Sequence, residues 1–170
     1  MVQDFNEIDR YLIPTQQIFD YLGAIQELNH WSLENQKTEL VTNYLNFWKS
    51  LKSYYNQFTN DLISKETGYQ GLIYKEATEH VESYIQNTKH THIFLGFNAL
   101  NSAEELIIQE LLQNNKANIY WDTDFHFMDN KNHTTSLFTR QYQQKWPFYK
   151  TNSFDWITST YSTKKNINII

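Results

Sequence analysis

Cysteine is absent from this chain of 170 residues, and glycine and proline are scarce. Without cysteine, neither a disulfide framework nor a cysteine-ligated zinc site can form, which fits a reducing, cytoplasmic setting. Only four Gly and two Pro occur. Since these residues interrupt regular structure most strongly, we expect few loops and many helices. No apolar run approaches the ~20 residues of a membrane helix, and the polar first residues do not resemble a signal peptide, so we expect no membrane contact.

The charge of the chain is unevenly distributed. The net charge is −5. Residues 1–129 carry eighteen acids and eight bases, a balance of −10, whereas residues 130–170 carry six bases and one acid, a balance of +5. The six bases are Lys131, Arg140, Lys145, Lys150, Lys164 and Lys165. Such a segment is either a solvated basic face or a local anion-binding surface.

Apolar residues recur at helical spacing through the first half of the chain. A helix beginning near Asn35 carries a largely aromatic stripe, and a further helix follows Gly68 and Gly71. The first stripe is Val41, Tyr44, Leu45, Trp48, Leu51, Tyr55, Phe58 and Leu62, and the second is Ile73, Ala77, Val81, Tyr84 and Ile85. We predict a helical lobe over residues 1–90.

Residues 92–124 alternate between apolar runs and a helical pattern. Ile93-Phe94-Leu95 and Ile119-Tyr120-Trp121 are too short and too apolar for surface helices, and are typical of buried strands. Between them, Asn101 and Glu104 form a capping-box pattern at a helix start, and Asn114-Asn115 suits the left-handed helix end. Strand, helix and strand in this order predict a βαβ unit, and hence a helix-rich α/β fold with an α/β lobe over residues 91–170.

Two strands are few for a parallel sheet, which usually has more strands and is covered on both faces. The last residues, Ile167 to Ile170, resemble the start of a further strand that the chain does not finish. We therefore predict that the chain is part of a longer protein.

The chain lacks the sequence motifs of ATP-hydrolysing motors and of serine hydrolases. A P-loop ends in Gly-Lys-Ser/Thr, because backbone amides and the Lys hold the phosphates, and no Gly here precedes a Lys. In active motors a strand ends in acids that hold Mg²⁺ and orient the attacking water, whereas Gly96 and Phe97 follow this strand. Gly-x-Ser-x-Gly does not occur. We predict no ATP hydrolysis, no nuclease site, no catalytic residue and no cofactor in this chain.

One short cluster, Asp122, Asp124 and His126, has the residue types of a metal site. Two carboxylates and an imidazole at alternate positions could share an ion. The alternative is that the acids meet solvent or cap the next turn at the carboxyl end of a strand. We rank a hydrolase that uses these three residues last among the functional hypotheses.

The basic segment interleaves cations with aromatic residues. Arg140, Lys145 and Lys150 are candidate phosphate contacts, and Tyr142 and Trp146 are candidate stacking platforms for exposed bases. The alternative is that the aromatic residues lie in the core or between lobes. The acidic remainder of the chain would repel nucleic acid, so we expect a low affinity for DNA in isolation.

Several stretches together resemble the AddB-type helicase-nuclease proteins, which carry a carboxy-terminal PD-(D/E)XK nuclease domain. The stretches are His92-Ile-Phe-Leu-Gly-Phe-Asn-Ala-Leu-Asn-Ser-Ala-Glu-Glu with the later Ile-Tyr-Trp-Asp, Asp4-Phe-Asn-Glu-Ile-Asp-Arg-Tyr-Leu, Gly68-Tyr-Gln-Gly-Leu-Ile-Tyr-Lys-Glu and Leu137-Phe-Thr-Arg-Gln-Tyr. The resemblance spans nearly the whole chain. In that family, Gly-Phe followed by a polar turn stands where active UvrD-like helicases carry Asp-Glu, so Gly96 and Phe97 match the lost metal-binding acids.

The resemblance implies a partial RecA-like (P-loop NTPase-type) sheet with an amino-terminal helical insertion lobe. It also implies a cytoplasmic parent protein, an exodeoxyribonuclease that processes DNA double-strand breaks in repair and recombination together with an AddA-like helicase subunit. Two functions then compete for this chain. It is a DNA-engaging scaffold without catalysis, or it is an interaction module that docks the partner helicase, in which off-stripe aromatic residues such as Phe47 and Tyr54 face a partner.

Overall fold

The computed structural model describes residues 1–31, 39–154 and 157–166. The first elements are α1 (Val2–Arg10), α2 (Thr15–Trp31), α3 (Glu39–Ser64) and α4 (Gln70–Asn87). They are followed by β1 (His92–Leu95), α5 (Ser102–Gln113), β2 (Ala117–Tyr120), β3 (Thr123–Asp124), α6 (Phe125–Asp129), α7 (Leu137–Lys145), a 3₁₀ turn (Pro147–Lys150) and β4 (Ile157–Thr158). The predicted helix-rich α/β class is confirmed. The predicted helix start near Asn35 and the predicted strand at Ile167–Ile170 lie outside the described residues.

The chain forms two compact units, residues 1–79 and residues 80–170, which divide within α4. We call them the helical unit and the α/β unit. The boundary predicted from the sequence, after residue 90, lies just beyond the end of α4 at Asn87. In the described ranges, no helix combines the length and the apolar character needed to cross a membrane.

The helical unit is built on aromatic packing between α1, α2 and α3. The Phe5 ring lies edge-on to Phe19, with centroids 6.0 Å apart, and edge-on to Tyr55 at 5.1 Å. Leu51 completes this buried cluster. Edge-to-face pairs contribute about 0.5–1.5 kcal/mol beyond the burial of their area, so this cluster anchors the short α1 to the longer helices.

The stripe predicted on α3 is partly correct. Leu45, Leu51 and Tyr55 are buried, and Phe47 and Tyr54, which lie off the stripe, are exposed. Tyr44 and Phe58, which were placed on the stripe, are more than one-third exposed. The described part of α3 therefore presents aromatic rings on more than one face.

The α/β unit contains the predicted βαβ arrangement. β1 and β2 pair in parallel, from His92 opposite Ala117 to Leu95 opposite Tyr120. The capping box that opens α5 is confirmed: Glu104 N–H donates to the Asn101 side chain, and Asn101 N–H donates to the Glu104 carboxylate. Asn115 has a φ of +56° just after α5, as its left-handed end requires.

The core of the α/β unit lies on one face of this sheet. Its buried residues are Val81, Ile85, Ile108, Leu111, Leu112, Ala117, Trp121, Tyr142 and Trp146. Phe94 and Ile119 pack against this cluster from the strands. Since alternate residues of a strand point to opposite faces, the neighbours of Phe94 point away from the core.

The prediction that Ile93-Phe94-Leu95 is a buried strand is right about the strand and wrong about its burial. Ile93 is 69% exposed and Leu95 72% exposed. Within the described residues, helices cover the Phe94 face of β1 and leave the other face to solvent. We call the exposed side chains of Ile93 and Leu95 the open face.

A second pair of parallel strands was not predicted. β3 and β4 pair with Thr123 opposite Ile157 and Asp124 opposite Thr158. Each strand has two residues, which is too short for an alternating pattern, and the partners lie far apart in the chain. This pairing positions Asp124, one of the candidate site residues.

Candidate functional site

Three of the residues selected by sequence, Gly96, Phe97 and Asp122, lie directly after β1 and β2. Because the strands are parallel, their carboxyl ends meet at one edge of the sheet, the position where open α/β sheets bind ligands. Gly96 and Phe97 follow β1, and Trp121 and Asp122 follow β2. We call these two loops the carboxyl edge.

Gly96 shapes the loop after β1 through its backbone. Its φ of +72° is in the left-handed region, and its N–H donates to the Tyr120 carbonyl at 3.1 Å. A Cβ built on Gly96 meets no atom within 4 Å, so conformation rather than space favours glycine here. Phe97 lies edge-on to Phe94, with centroids 6.0 Å apart. Neither side chain can ligate a cation.

Tyr142 of α7 bridges the two loops of the carboxyl edge. Its ring stacks on Trp121 with centroids 5.4 Å apart, and its hydroxyl accepts a hydrogen bond from Leu100 N–H at 2.8 Å. Burial raises the pKa of Tyr142. The ring is therefore a core group that fastens α7 to the sheet, rather than an accessible platform for a base.

Trp146 closes the same edge at the start of α5. It is 1% exposed, and its indole N–H donates to the Glu105 carboxylate at 3.2 Å. Glu104 already occupies the amino end of α5 through the capping box. A helix amino end attracts phosphate only while it is open. The amino end of α5 already holds the carboxylates of Glu104 and Glu105, and their negative charge would repel phosphate.

Arg140 is held by backbone carbonyls. Its guanidinium donates to the carbonyl of Phe127 in α6 and to the carbonyl of His133 at 2.7 Å. These bonds tie α7 to the loop that follows α6. To bind a phosphate, the guanidinium would have to break both hydrogen bonds. Arg140 therefore has a structural role in this conformation. Lys145 and Lys150, by contrast, are exposed at the ends of α7 and the 3₁₀ turn.

Asp124 is the most saturated of the candidate metal ligands. Its carboxylate accepts from His126 N–H at 3.0 Å, from the Thr158 hydroxyl at 3.0 Å, from Thr160 N–H at 2.8 Å and from Tyr161 N–H at 3.0 Å. The bond from His126 N–H, followed by the other donors, lowers the pKa of Asp124 to about 2. With four donors in place, the carboxylate anchors the strand pair β3–β4 and has little capacity left for an ion.

The other two metal candidates do not converge on Asp124. The His126 ring packs on Tyr161, with centroids 4.7 Å apart, and Asp122 is exposed. Across the described ranges, no group of three or more His, Asp or Glu side chains could hold a metal ion. Asp124 therefore has the capping role that was given above as the alternative to metal binding.

The Asp-x-Lys spacing of metal-dependent nucleases does occur once after Asp124, as Asp129-Asn130-Lys131. Asp129 is the last residue of α6 and Lys131 lies in the following turn. Both are exposed. A nuclease site needs this triplet on a strand beside a further acid, so the match is one of spacing alone.

A buried polar network in the helical unit escaped the sequence analysis. Asp9 is 1% exposed, and its two carboxylate oxygens accept from the hydroxyls of Tyr55 and Tyr69. Lys75 Nζ lies 3.5 Å from the carboxylate and donates to the Tyr55 hydroxyl at 3.1 Å. The available signal was Asp9 itself, four residues after Phe5 on the apolar face of α1.

Burial, and then the hydrogen bond to Asp9, raises the pKa of both tyrosines. Both hydroxyls therefore remain protonated as donors, and both carboxylate oxygens are occupied. The network joins α1, α3 and the start of α4 and has a structural role. We call its four residues, Asp9, Tyr55, Tyr69 and Lys75, the lock.

A cavity of about 180 Å³ opens beside β2. Its lining comes from α5, from β2 with the residue that follows it, and from the 3₁₀ turn with the residues that follow it. The lining residues are Leu112, Asn118, Ile119, Tyr120, Trp121, Phe148, Tyr149, Asn152 and Ser153. Tyr120 and Trp121 belong to the run predicted as a buried strand, and the space beside them was not predicted.

Comparison of the chain with protein-family models, with curated proteins and with solved structures found no match.

Proposed function

We propose that this chain is a catalytically silent, helicase-like lobe of an AddB-type helicase-nuclease, and that it is a docking scaffold in the processing of DNA double-strand breaks. The parallel β1–α5–β2 unit supports a partial RecA-like lobe, and the helical unit corresponds to its helical insertion. The parent would be an exodeoxyribonuclease whose active residues lie outside this chain.

The state of the carboxyl edge supports a silent lobe. In an active motor the strand that β1 would match ends in acids that hold Mg²⁺, whereas β1 is followed by Gly96 and Phe97. Here Tyr142 and Trp146 fill the edge, and Glu104 and Glu105 occupy the amino end of α5. An ATP phosphate group would meet carboxylates and buried rings.

The open face is the observation that carries the docking function. Ile93 and Leu95 lie on the same face of β1 and are 69% and 72% exposed. Parallel sheets are normally covered on both faces, because both faces are apolar. We assign the partner helicase subunit, of AddA type, as the occupant, since an exposed apolar row on a scaffold marks a protein contact.

The test is titration of the chain with a purified AddA-type helicase subunit by isothermal calorimetry. We expect Leu95→Lys to weaken binding by at least tenfold, because it buries an ammonium in an apolar contact. The matched control is Ile73→Lys, the same kind of exchange at a side chain 52% exposed on α4, which should leave binding unchanged.

Two outcomes would contradict this assignment. In the first, Leu95→Lys binds the helicase as the unchanged chain does. In the second, the chain alone dimerises in sedimentation experiments and Leu95→Lys abolishes the dimer without affecting the helicase contact. The open face would then belong to a second copy.

Direct DNA contact is a second candidate function, favoured by exposed Lys145 and Lys150 within a segment whose balance is +5. Charge reversal of either lysine should weaken binding of a tailed duplex and reduce its salt dependence by roughly one unit of slope per lost phosphate contact. Lys89→Glu makes the same change at an exposed position outside that segment. A salt slope that falls equally in all three variants would reject a local DNA path.

A further inference from the structure

α3 exposes four aromatic side chains to solvent. Tyr44, Phe47, Tyr54 and Phe58 are each between 37% and 50% exposed. They lie within fifteen residues of one another on a single helix. A concentration of exposed rings of this kind on one element marks an interaction surface.

The side chains along this part of α3 follow the spacing of a coiled-coil seam. From Asn43, alternating steps of four and three residues reach Phe47, Ser50, Tyr54, Gln57 and Asp61. These steps average 3.5 residues, which keeps the side chains in one row along a helix. All six residues are exposed or half-buried. We call these six residues the α3 seam.

The sizes of the side chains decide how two such seams could pack. In a parallel pair, each residue faces itself, so ring would meet ring and the small Ser50 would leave a gap. In an antiparallel pair centred between Ser50 and Tyr54, Tyr54 faces Ser50 of the other copy, and Phe47 faces Gln57. Large side chains then fill the space beside smaller ones, as close packing requires.

The charges of α3 favour the same arrangement. Its charged residues are Glu39, Lys49, Lys52 and Asp61, of which only Asp61 belongs to the seam. A parallel pair would bring two Asp61 carboxylates together. An antiparallel pair places each Asp61 opposite Asn43 of the other copy, whose amide can donate to it. The rest of the seam combines rings with uncharged side chains, the composition that distinguishes the cores of protein interfaces.

We propose that the α3 seam is a self-complementary contact, through which two copies of this chain associate as an antiparallel, two-fold symmetric pair. The exposed parts of the four rings amount to roughly 250–400 Å² per copy, because an aromatic side chain offers about 150–250 Å² in all. A stable interface buries about 800 Å² per partner, so the pair is weak and reversible. The contact is separate from the open face, which belongs to β1.

The test is sedimentation velocity of the 170-residue chain over a series of concentrations. We expect a monomer–dimer equilibrium. Tyr54→Lys should weaken the pair at least tenfold, because it buries an ammonium against Ser50 of the other copy. The matched control is Tyr21→Lys, the same exchange at a side chain 64% exposed on α2, which should leave the equilibrium unchanged. Circular dichroism checks that both variants are folded.

A mixture of two variants tests the antiparallel register. Ser50→Glu alone and Tyr54→Lys alone each bury two unpaired charges, one on either side of the two-fold axis. When one copy of each variant pairs in the antiparallel register, the new carboxylate faces the new ammonium. The other side of the axis keeps the original contact of Tyr54 with Ser50. We therefore expect the mixture to associate more tightly than either variant alone.

Four outcomes would overturn the proposal. The first is a monomer at every concentration, and the second is an equal effect of Tyr54→Lys and Tyr21→Lys. The third is a mixture that associates no more tightly than its two components. The fourth is a dimer that Leu95→Lys abolishes, which would assign the contact to the open face. A monomeric chain whose binding to the helicase subunit is weakened by Tyr54→Lys would instead assign the seam to that subunit.

Discussion

Among the residues whose burial the structure describes, each compact unit buries one carboxylate, and the two are stabilised in different ways. Asp9 in the helical unit accepts from the side chains of Tyr55 and Tyr69 and has Lys75 nearby. Asp124 in the α/β unit accepts mostly from backbone N–H groups within a loop and a strand end. Asp9 joins three helices through side chains, whereas Asp124 shapes a local turn.

This difference predicts different sensitivities to mutation and to pH. A side-chain network depends on every member, because the loss of one leaves the others buried without a partner. Backbone donors at a loop can turn to water when their acceptor is removed. Asp9 should therefore contribute more to stability than Asp124, although both are acids of low exposure.

The largest effect is expected for Asp9→Ala. We expect it to lower the free energy of unfolding of the helical unit by about 3–5 kcal/mol, because Lys75 and two tyrosine hydroxyls lose their buried partner. Urea denaturation followed by circular dichroism measures it. Asp4→Ala is the matched control, an acid of the same helix with a side chain 77% exposed, and should leave the midpoint unchanged. A loss below about 1 kcal/mol in Asp9→Ala would contradict the lock.

The next largest effect is expected for Tyr55→Phe, which removes one donor of the lock and keeps the ring. We expect a loss of about 1.5–3 kcal/mol, the range for a hydrogen bond to a charged group. Tyr69→Phe should cost less, because Tyr69 is only half-buried.

Tyr55 also gives the lock an alkaline pH dependence. Its folded pKa lies above the ordinary value of 10.0. Its contribution to stability is therefore complete below pH 10.0 and is lost as the pH rises further. Unfolding measured from neutral pH to beyond 10 should show a smaller alkaline loss in Tyr55→Phe. An equal alkaline loss in the variant would place its cause elsewhere.

The smallest effect is expected for Asp124→Asn, since an amide oxygen can still accept part of the same N–H bonds. Its signature is the acid dependence. The folded pKa of Asp124 is about 2, below the ordinary 3.8. Its contribution is therefore complete above 3.8 and is lost as the pH falls towards 2. Denaturation across that window should show a shallower slope in Asp124→Asn than in Asp129→Asn, an exposed acid five residues later. Equal slopes would mean that Asp124 is no better stabilised than a surface acid.

The elements with strong local signals were predicted well. The capping box of Asn101 and Glu104 and the left-handed Asn115 depend on neighbours in the chain, so their pattern carried the information. The aromatic residues of the candidate site were harder. The sequence pattern around Tyr142 and Trp146 would be the same whether these rings stacked on a base or packed in the core. Only the packing of Tyr142 on Trp121 and the hydrogen bond from Trp146 to Glu105 show that both rings lie in the core.

Local sequence was sufficient for the helix-rich α/β class, the order of β1, α5 and β2, and the lack of an acid after β1, because each depends on residues that are close along the chain. Packing alone revealed the exposure of Ile93 and Leu95, the pairing of β3 with β4, and the Asp9 network. These features join residues separated by tens of positions, and no local periodicity encodes which face a distant segment covers. Burial of Asp9 in particular requires Tyr55 and Tyr69 to arrive from two other parts of the chain, since a lone carboxylate would be too costly to remove from water.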